Sequence, residues 1–217
     1  MLKYLLLLLV LPCTAFSCPD ITAAVTPTHH AGARDRLMAT ANGRTEAALV
    51  IGDSIAEQWP ADMREPVIDR SYNFGLGGDR INNIFWRLQA ANFFPGNRFT
   101  TIVVIAGTNN LGLNTPCEIA GGLVKLAGAL ESMSPSTKVY VVSILPRGEG
   151  LDTAGSAISE VNTTLAEASG VRFVNAAVAI RSCGKACYRP DHLHLERKGY
   201  AILGEALRKA MTAASSQ

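Results

Sequence analysis

The sequence lacks the features of nucleic-acid-binding and membrane-spanning proteins. Its formal net charge is +2 over 217 residues, and it contains no run of lysine and arginine. We therefore expect no nucleic-acid partner, because that binding depends on a concentrated basic surface. The apolar run from Tyr4 to Leu11 falls well short of the roughly 20 residues that cross a bilayer. No internal repeat, low-complexity segment or linker divides the chain, and 48% hydrophobic residues suffice for one core.

The N-terminal segment has the pattern of a secretory signal. Lys3 precedes the apolar run, Pro12 ends it, and small residues lead up to Cys18. Because the run is too short to span a membrane, we expect this segment to be removed. The mature chain is then predicted to begin near Cys18 in the periplasm or outside the cell.

The chain is predicted to have three parts. Residues 1–17 form the signal peptide, 18–46 a polar segment packed on the domain, and 47–217 the domain itself. The sequence from Ala15 to Cys18 also resembles a lipoprotein signal, in which the cysteine is lipidated after cleavage. A membrane anchor at Cys18 therefore stays open as an alternative.

Few cysteines remain after removal of the signal, and they suit an oxidising compartment. They are Cys18, Cys117, Cys183 and Cys187. The last two are predicted to form a disulfide that stiffens the following loop, whereas the sequence does not decide whether the first two pair. A zinc site built from the last two cysteines with His192 and His194 is the alternative, although its spacing fits no common zinc pattern.

From residue 47 onward, short apolar segments alternate with helical patterns. The predicted strands are Ala47–Ile51, Val67–Tyr72, Thr100–Ala106, Lys138–Ile144 and Val171–Asn175. The predicted helices are Arg34–Ala41, Arg80–Ala91, Cys117–Met133, Gly155–Ser169 and Glu196–Ala213. This alternation predicts a parallel sheet with helices on both faces and right-handed crossovers. His29 and His30, ahead of the first helix, are predicted to be solvated and without a role.

Polar and glycine-rich residues follow the first three predicted strands. They are Gly52-Asp53-Ser54, the segment from Asn73 to Asp79, and Gly107 to Asn110, with Asp191 to His194 placed just before the last helix. Parallel strands bring their carboxyl ends to one edge of a sheet, where open α/β folds bind ligands. Each segment alone also has a plain structural interpretation, as a helix cap, a phosphate-binding loop or a turn.

Together these segments supply the groups that ester hydrolysis by a serine requires. Ser54 is the candidate nucleophile, His194 the general base, and Asp191 the group that orients the base. The backbone N–H groups of Ser54 and Gly78 and the side-chain amide of Asn109 are candidates for the oxyanion hole. Arg147 either continues the rim of the cleft or is an ordinary surface charge.

Four of these motifs resemble, in their order, the sequence blocks of the SGNH, or GDSL-like, hydrolase family. They are GDSI at 52–55, the glycine of GGD at Gly78, GTNN at 107–110 and DHLH at 191–194. Longer stretches, NFGLGGDRINNIFWRL at 73–88 and LPRGE at 145–149, are most similar to the platelet-activating-factor acetylhydrolase branch of that family.

The resemblance implies a flavodoxin-like three-layer α/β/α fold with a parallel sheet of about five strands. It also implies a metal-independent esterase without a cofactor, in which Asp191 lies three residues before the catalytic His194. His192 as the base is the alternative. The acetylhydrolase subunits associate, so an oligomer is an open expectation.

We therefore expect an exported serine esterase that removes short acyl groups, acetyl first, through an acyl-enzyme intermediate. Export points to a small-molecule or glycan ester as the substrate. One alternative is a lysophospholipase or thioesterase acting on longer acyl chains. Another is a binding module that uses the same fold without turnover, since fold alone does not settle function.

Overall fold

Short apolar segments form one parallel sheet. The computed structural model describes residues 18–93, 99–132 and 136–215, so the predicted signal peptide lies outside the described residues. The strands of the sheet are β1 (Ala48–Gly52), β2 (Ser71–Gly75), β3 (Thr101–Ile105), β4 (Lys138–Val142) and β5 (Arg172–Val174). They lie in the order β2-β1-β3-β4-β5, and each neighbouring pair is parallel. This is the flavodoxin-like strand order, which confirms the predicted fold class.

Helices connect the strands. The longer ones are α1 (Ala31–Ala39), α4 (Ile81–Ala90), α5 (Pro116–Ser132), α6 (Gly155–Glu167) and α8 (Arg197–Ser215). The shorter ones are α2 (Ser54–Glu57), α3 (Ala61–Arg64) and α7 (Ala177–Cys183), and two 3-10 turns cover Thr108–Asn110 and Gly184–Cys187. The sequence did not predict α3, α7 or the two turns, because they are too short to show a helical period.

The second strand begins later than predicted, at Ser71 instead of Val67. The amide groups of Val67 and Ile68 each donate to the carbonyl of Arg64 at 2.9 Å, which makes this apolar stretch a turn. Arg70 then has a φ of 47°, a left-handed conformation that ends the turn before the strand. The strand also ends later than predicted, at Gly75 instead of Tyr72, so the loop at its carboxyl end begins at Leu76.

The core lies on both faces of the sheet. In β1, Leu49 and Ile51 face one side while Ala48 and Val50 face the other, and all four are buried. The first side packs against α4, α5 and α6, and Ile81, Ile84 and Leu88 of α4 are buried in it. The second side packs against α2, α7 and α8. The three layers of the predicted fold are therefore present.

Residues 18–30, which we call the N-terminal strap, lie across α5 and α4. A Cys18–Cys117 disulfide joins the start of the strap to α5, and Lys125 of α5 forms an ion pair with Asp20 at 2.8 Å. The Asn83 side chain on α4 donates to the carbonyl of Val25 at 2.8 Å. The sequence left open whether these two cysteines pair.

None of the helices in the described part of the chain is long and apolar enough to cross a bilayer.

Candidate active site

Ser54 is the first residue of α2, directly beyond the end of β1. Because β2 and β3 lie on opposite sides of β1, the strand order reverses at this point, which is where such sheets form a crevice. The Asp53 side chain caps α2 by accepting a hydrogen bond from the Ile55 amide at 2.9 Å. A Cβ at Gly52 would lie 1.8 Å from the Ile105 carbonyl oxygen, so the turn requires glycine.

His194 connects Ser54 with Asp191. Its Nε2 lies 2.9 Å from Ser54 Oγ, and its Nδ1 lies 2.7 Å from Asp191 Oδ2. The other carboxylate oxygen, Oδ1, accepts hydrogen bonds from the amides of Leu193 and His194, each at 2.9 Å. Partial burial acts to raise the pKa of Asp191, but the hydrogen bonds from the His194 ring and from the two amides outweigh it and lower the pKa to about 2. Asp191 is therefore an ionised partner for His194.

His192 has a different environment. Its φ of 50° is left-handed, its amide donates to the Arg189 carbonyl, and its own carbonyl accepts from Gly148. Its Nδ1 is buried and has no hydrogen-bond partner within the described ranges. The structure thus brings His194 to Ser54, and His192 is held by its backbone against the loop after β4.

The predicted Cys183–Cys187 disulfide is present, just ahead of the loop from 189 to 194 that carries Asp191 and His194. Its two sulfur atoms are bonded to one another, so they are not the free thiolates that the zinc alternative needs. Tyr188, the next residue, pairs with Leu195 in an antiparallel bridge and donates its hydroxyl to the Pro146 carbonyl. The loop from 189 to 194 is therefore held at both ends.

The candidate oxyanion donors lie on neighbouring loops. Gly78, after β2, is exposed and has a φ of 80°, which favours glycine. Asn109 lies in the 3-10 turn after β3, and its Nδ2 donates to the Asp79 carbonyl at 2.9 Å. An amide nitrogen carries two hydrogens, and this hydrogen bond uses one of them.

Arg147, in the loop after β4, contacts the turn that follows β3. Its guanidinium donates to the carbonyl of Thr108 at 2.9 Å and to the hydroxyl of the same residue at 3.1 Å. Thr108 directly precedes Asn109. The interpretation of Arg147 as an ordinary surface charge is therefore wrong, and the LPRGE resemblance was the available signal for a role at the rim.

The prediction that His29 is solvated is also wrong. Its Nε2 lies 3.1 Å from Oδ1 of the fully buried Asp79, whose Oδ2 accepts from Arg87 Nε at 2.7 Å. Burial raises the pKa of Asp79, while Arg87 and then His29 act in the opposite direction. No local pattern predicts this contact, because the two partners are 50 residues apart.

Asp53 is a buried acid next to the candidate nucleophile. Burial raises its pKa to about 7, and the negative charge of Asp79 acts in the same direction. The hydrogen bond from the Ile55 amide and the positive charge of Arg147 oppose this shift. Its ordinary pKa is 3.8, so between these two values the folded protein holds a proton that the unfolded chain has released.

The contribution of Asp53 to the free energy of unfolding should therefore fall as the pH rises from about 4 to about 7, since this group holds its proton in the folded state over that range. Asp53→Asn keeps the oxygen that accepts from Ile55 but does not titrate. Urea unfolding at several pH values should show the free energy of unfolding of the wild type falling relative to that of the variant up to about pH 7. Parallel pH profiles for the two proteins would contradict the raised pKa.

Comparison with known sequences decides the family. A sequence model described as "GDSL-like Lipase/Acylhydrolase family" matches residues 50–202, a range that contains Ser54, Gly78, Asn109, Asp191 and His194. The chain belongs to this family. The GDSL-like acylhydrolases are enzymes, so the protein is a carboxylic ester hydrolase, and the resemblance found in its motifs is confirmed.

Individual relatives of this GDSL-like acylhydrolase are distant but cover most of its length. The rat platelet-activating factor acetylhydrolase IB subunit alpha2 is 32% identical over 181 residues, 74% of each chain. Subunit alpha1 from Pongo abelii is 29% identical over 189 residues, covering 81% of this chain and 80% of the relative. The fold resembles an acetylxylan esterase from Geobacillus stearothermophilus, with a TM-score of 0.58, 17% identity, and coverage of 79% and 96% of the two chains.

Proposed function

We propose that the protein is an exported serine esterase that removes short acyl groups, acetyl in particular, from glycan or small-molecule esters. The observation that carries this proposal is the continuous set of hydrogen bonds from Ser54 Oγ to His194 Nε2 and from His194 Nδ1 to Asp191. A serine hydroxyl is a weak nucleophile until a base takes its proton, and a base acts best when a third group orients it.

In the first half of the reaction, Ser54 Oγ attacks the carbonyl carbon of the ester and its proton passes to His194 Nε2. The ionised Asp191 stabilises the resulting imidazolium and keeps its ring oriented. The carbonyl oxygen becomes an oxyanion that accepts hydrogen bonds from the amides of Ser54 and Gly78 and from Asn109 Nδ2. Collapse of this intermediate breaks the ester C–O bond, and His194 returns the proton to the departing alkoxide.

In the second half, a water molecule takes the place of the alcohol. His194 Nε2 removes a proton from the water as its oxygen attacks the acyl carbon, and the same donors hold the second oxyanion. The bond to Ser54 Oγ then breaks, and the proton on His194 returns to that oxygen. The carboxylic acid leaves, and the serine hydroxyl is restored.

The proposed acyl group and substrate follow from the comparisons and from export. The relatives named acetylhydrolase and the structural neighbour named acetylxylan esterase both carry acetyl removal in their names, and the latter acts on a glycan. Two disulfides and a signal-like N-terminus support export. In the exported protein, residues 1–17 are removed, 18–46 pack on the domain and 47–217 form the domain itself. An exported esterase meets acylated glycans of the envelope or of the extracellular matrix.

The proposal is tested with a series of p-nitrophenyl esters from acetyl to palmitoyl and the mature chain. We expect kcat/KM to be highest for acetyl and to fall at least about tenfold by octanoyl, since added methylenes that do not fit a short pocket are penalised. A fluorophosphonate should also label the enzyme on the peptide that contains Ser54. A maximum at long acyl chains would reject the short-acyl preference, and an adduct on another peptide would reject the mechanism.

A further inference from the structure

The N-terminal strap ends beside the loop that carries Gly78. The His29 ring packs on this glycine, because a Cβ at Gly78 would lie 3.0 Å from His29 Cδ2. The His29 side chain is 29% exposed, whereas the Asp79 side chain that it contacts is fully buried. The strap therefore contacts the residue whose N–H is a candidate oxyanion donor.

Asp79 joins the strap to both loops that carry oxyanion donors. Its Oδ1 is in contact with His29 Nε2, and its Oδ2 accepts from Arg87, which is itself buried and donates to the Phe74 carbonyl at 2.8 Å. The backbone carbonyl of Asp79 accepts from the Asn109 amide, and Gly78 is the preceding residue. Asp79 is thus linked directly to the residue that carries one candidate donor and to the side-chain amide that is another.

We propose that His29 is a positioning residue for the oxyanion hole. Its Nε2–H donates to Asp79 Oδ1 and so fixes the Gly78–Asp79 backbone and, through the Asp79 carbonyl, the Asn109 amide. Without this donor, a buried carboxylate oxygen lacks its partner and the carboxylate turns to find another. This inference rests on the proposed function, because the roles of Gly78 and Asn109 belong to it.

Three variants separate the hydrogen bond from packing. His29→Leu keeps bulk against Gly78 but has no donor, whereas His29→Gln places an amide N–H near the original Nε2. His30→Asn is the matched control on the same strap, since asparagine tolerates the left-handed φ of 49° at that position.

With p-nitrophenyl acetate, His29→Leu should lower kcat about 10- to 50-fold with KM within about twofold, because oxyanion donors act in the transition state. His29→Gln should keep at least about a third of wild-type kcat, and His30→Asn should match the wild type within about twofold. Equal losses in His29→Gln and His29→Leu would overturn the proposal. So would a lowered melting temperature of His29→Leu with normal kcat.

Two further measurements make the test specific to the oxyanion hole. A trifluoromethyl ketone, which forms a tetrahedral adduct with the serine, should bind His29→Leu more weakly by the same factor as kcat/KM falls. In an Asn109→Ala background, His29→Leu should cost less than in the wild type, only a few-fold, since one of the two donors that it positions is already absent. Unchanged inhibitor affinity, or fully additive losses, would overturn the proposal.

Ser54→Ala distinguishes this proposal from the proposed function. If Ser54→Ala is inactive and His29→Leu behaves like the wild type, only the positioning role of His29 falls. If Ser54→Ala keeps its activity, the proposed function falls, and the role of His29 falls with it.

Discussion

Replacement of Ser54 by alanine is expected to lower kcat for p-nitrophenyl acetate by about a millionfold, the scale of loss known when the nucleophile of a serine hydrolase is removed. In the proposed mechanism this hydroxyl forms the acyl-enzyme, and it lies 2.9 Å from His194 Nε2, the proposed base. Purified mature protein should be assayed at high enzyme concentration, because residual rates of this size are easily exceeded by trace contamination. Rapid mixing should also show no burst of p-nitrophenol from the variant.

A matched serine controls for handling and for general effects of the substitution. Ser156 is exposed on α6, so Ser156→Ala should retain the wild-type kcat. The melting temperature of Ser54→Ala should stay within a few degrees of that of the wild type, since the change removes a few atoms at the start of a short helix. A fall of less than about tenfold in a folded Ser54→Ala protein would place the nucleophile elsewhere and remove the basis of the mechanism.

The parts of the site that the sequence predicted are encoded locally. β1 is a continuous apolar run that ends in Gly52-Asp53-Ser54, so both the strand and the turn are visible within a few residues. Asp191 and His194 are three residues apart, and the contact between them follows from that spacing. The family blocks then supplied the pairing of Ser54 with His194, which are 140 residues apart and which no local pattern connects.

The parts that the sequence did not predict depend on distant contacts or on competition between local forces. His29 contacts Asp79 across 50 residues and Arg147 contacts Thr108 across 39. The sequence therefore predicted a solvated His29 and left Arg147 open between the cleft rim and a surface charge. The pairing of Cys18 with Cys117 could not be deduced from spacing. The stretch from Val67 to Ile68 has the composition of a strand, but hydrogen bonds to Arg64 make it a turn.

His194 and His192 lie two positions apart, and we expect their replacement to have very different effects on kcat. His194→Ala is expected to lower kcat by about 10⁴- to 10⁶-fold, because Ser54 loses the base that takes its proton. His192→Asn should stay within about fivefold of the wild type, since asparagine tolerates the left-handed φ of 50° and the backbone bonds to Arg189 and Gly148 are kept. Added imidazole should restore part of the activity of His194→Ala by replacing the missing base.

The reason for this asymmetry lies in what each ring contacts. The His194 ring is bonded on one side to an acid whose pKa is about 2 and on the other to the serine hydroxyl, so it can accept a proton and be stabilised once it is charged. The buried Nδ1 of His192 has no partner among the described residues to stabilise such a charge. If His192→Asn lost activity as severely as His194→Ala while remaining folded, the base would have to be reassigned. Asp191 would then be hydrogen-bonded to a histidine, His194, that does not act as the base.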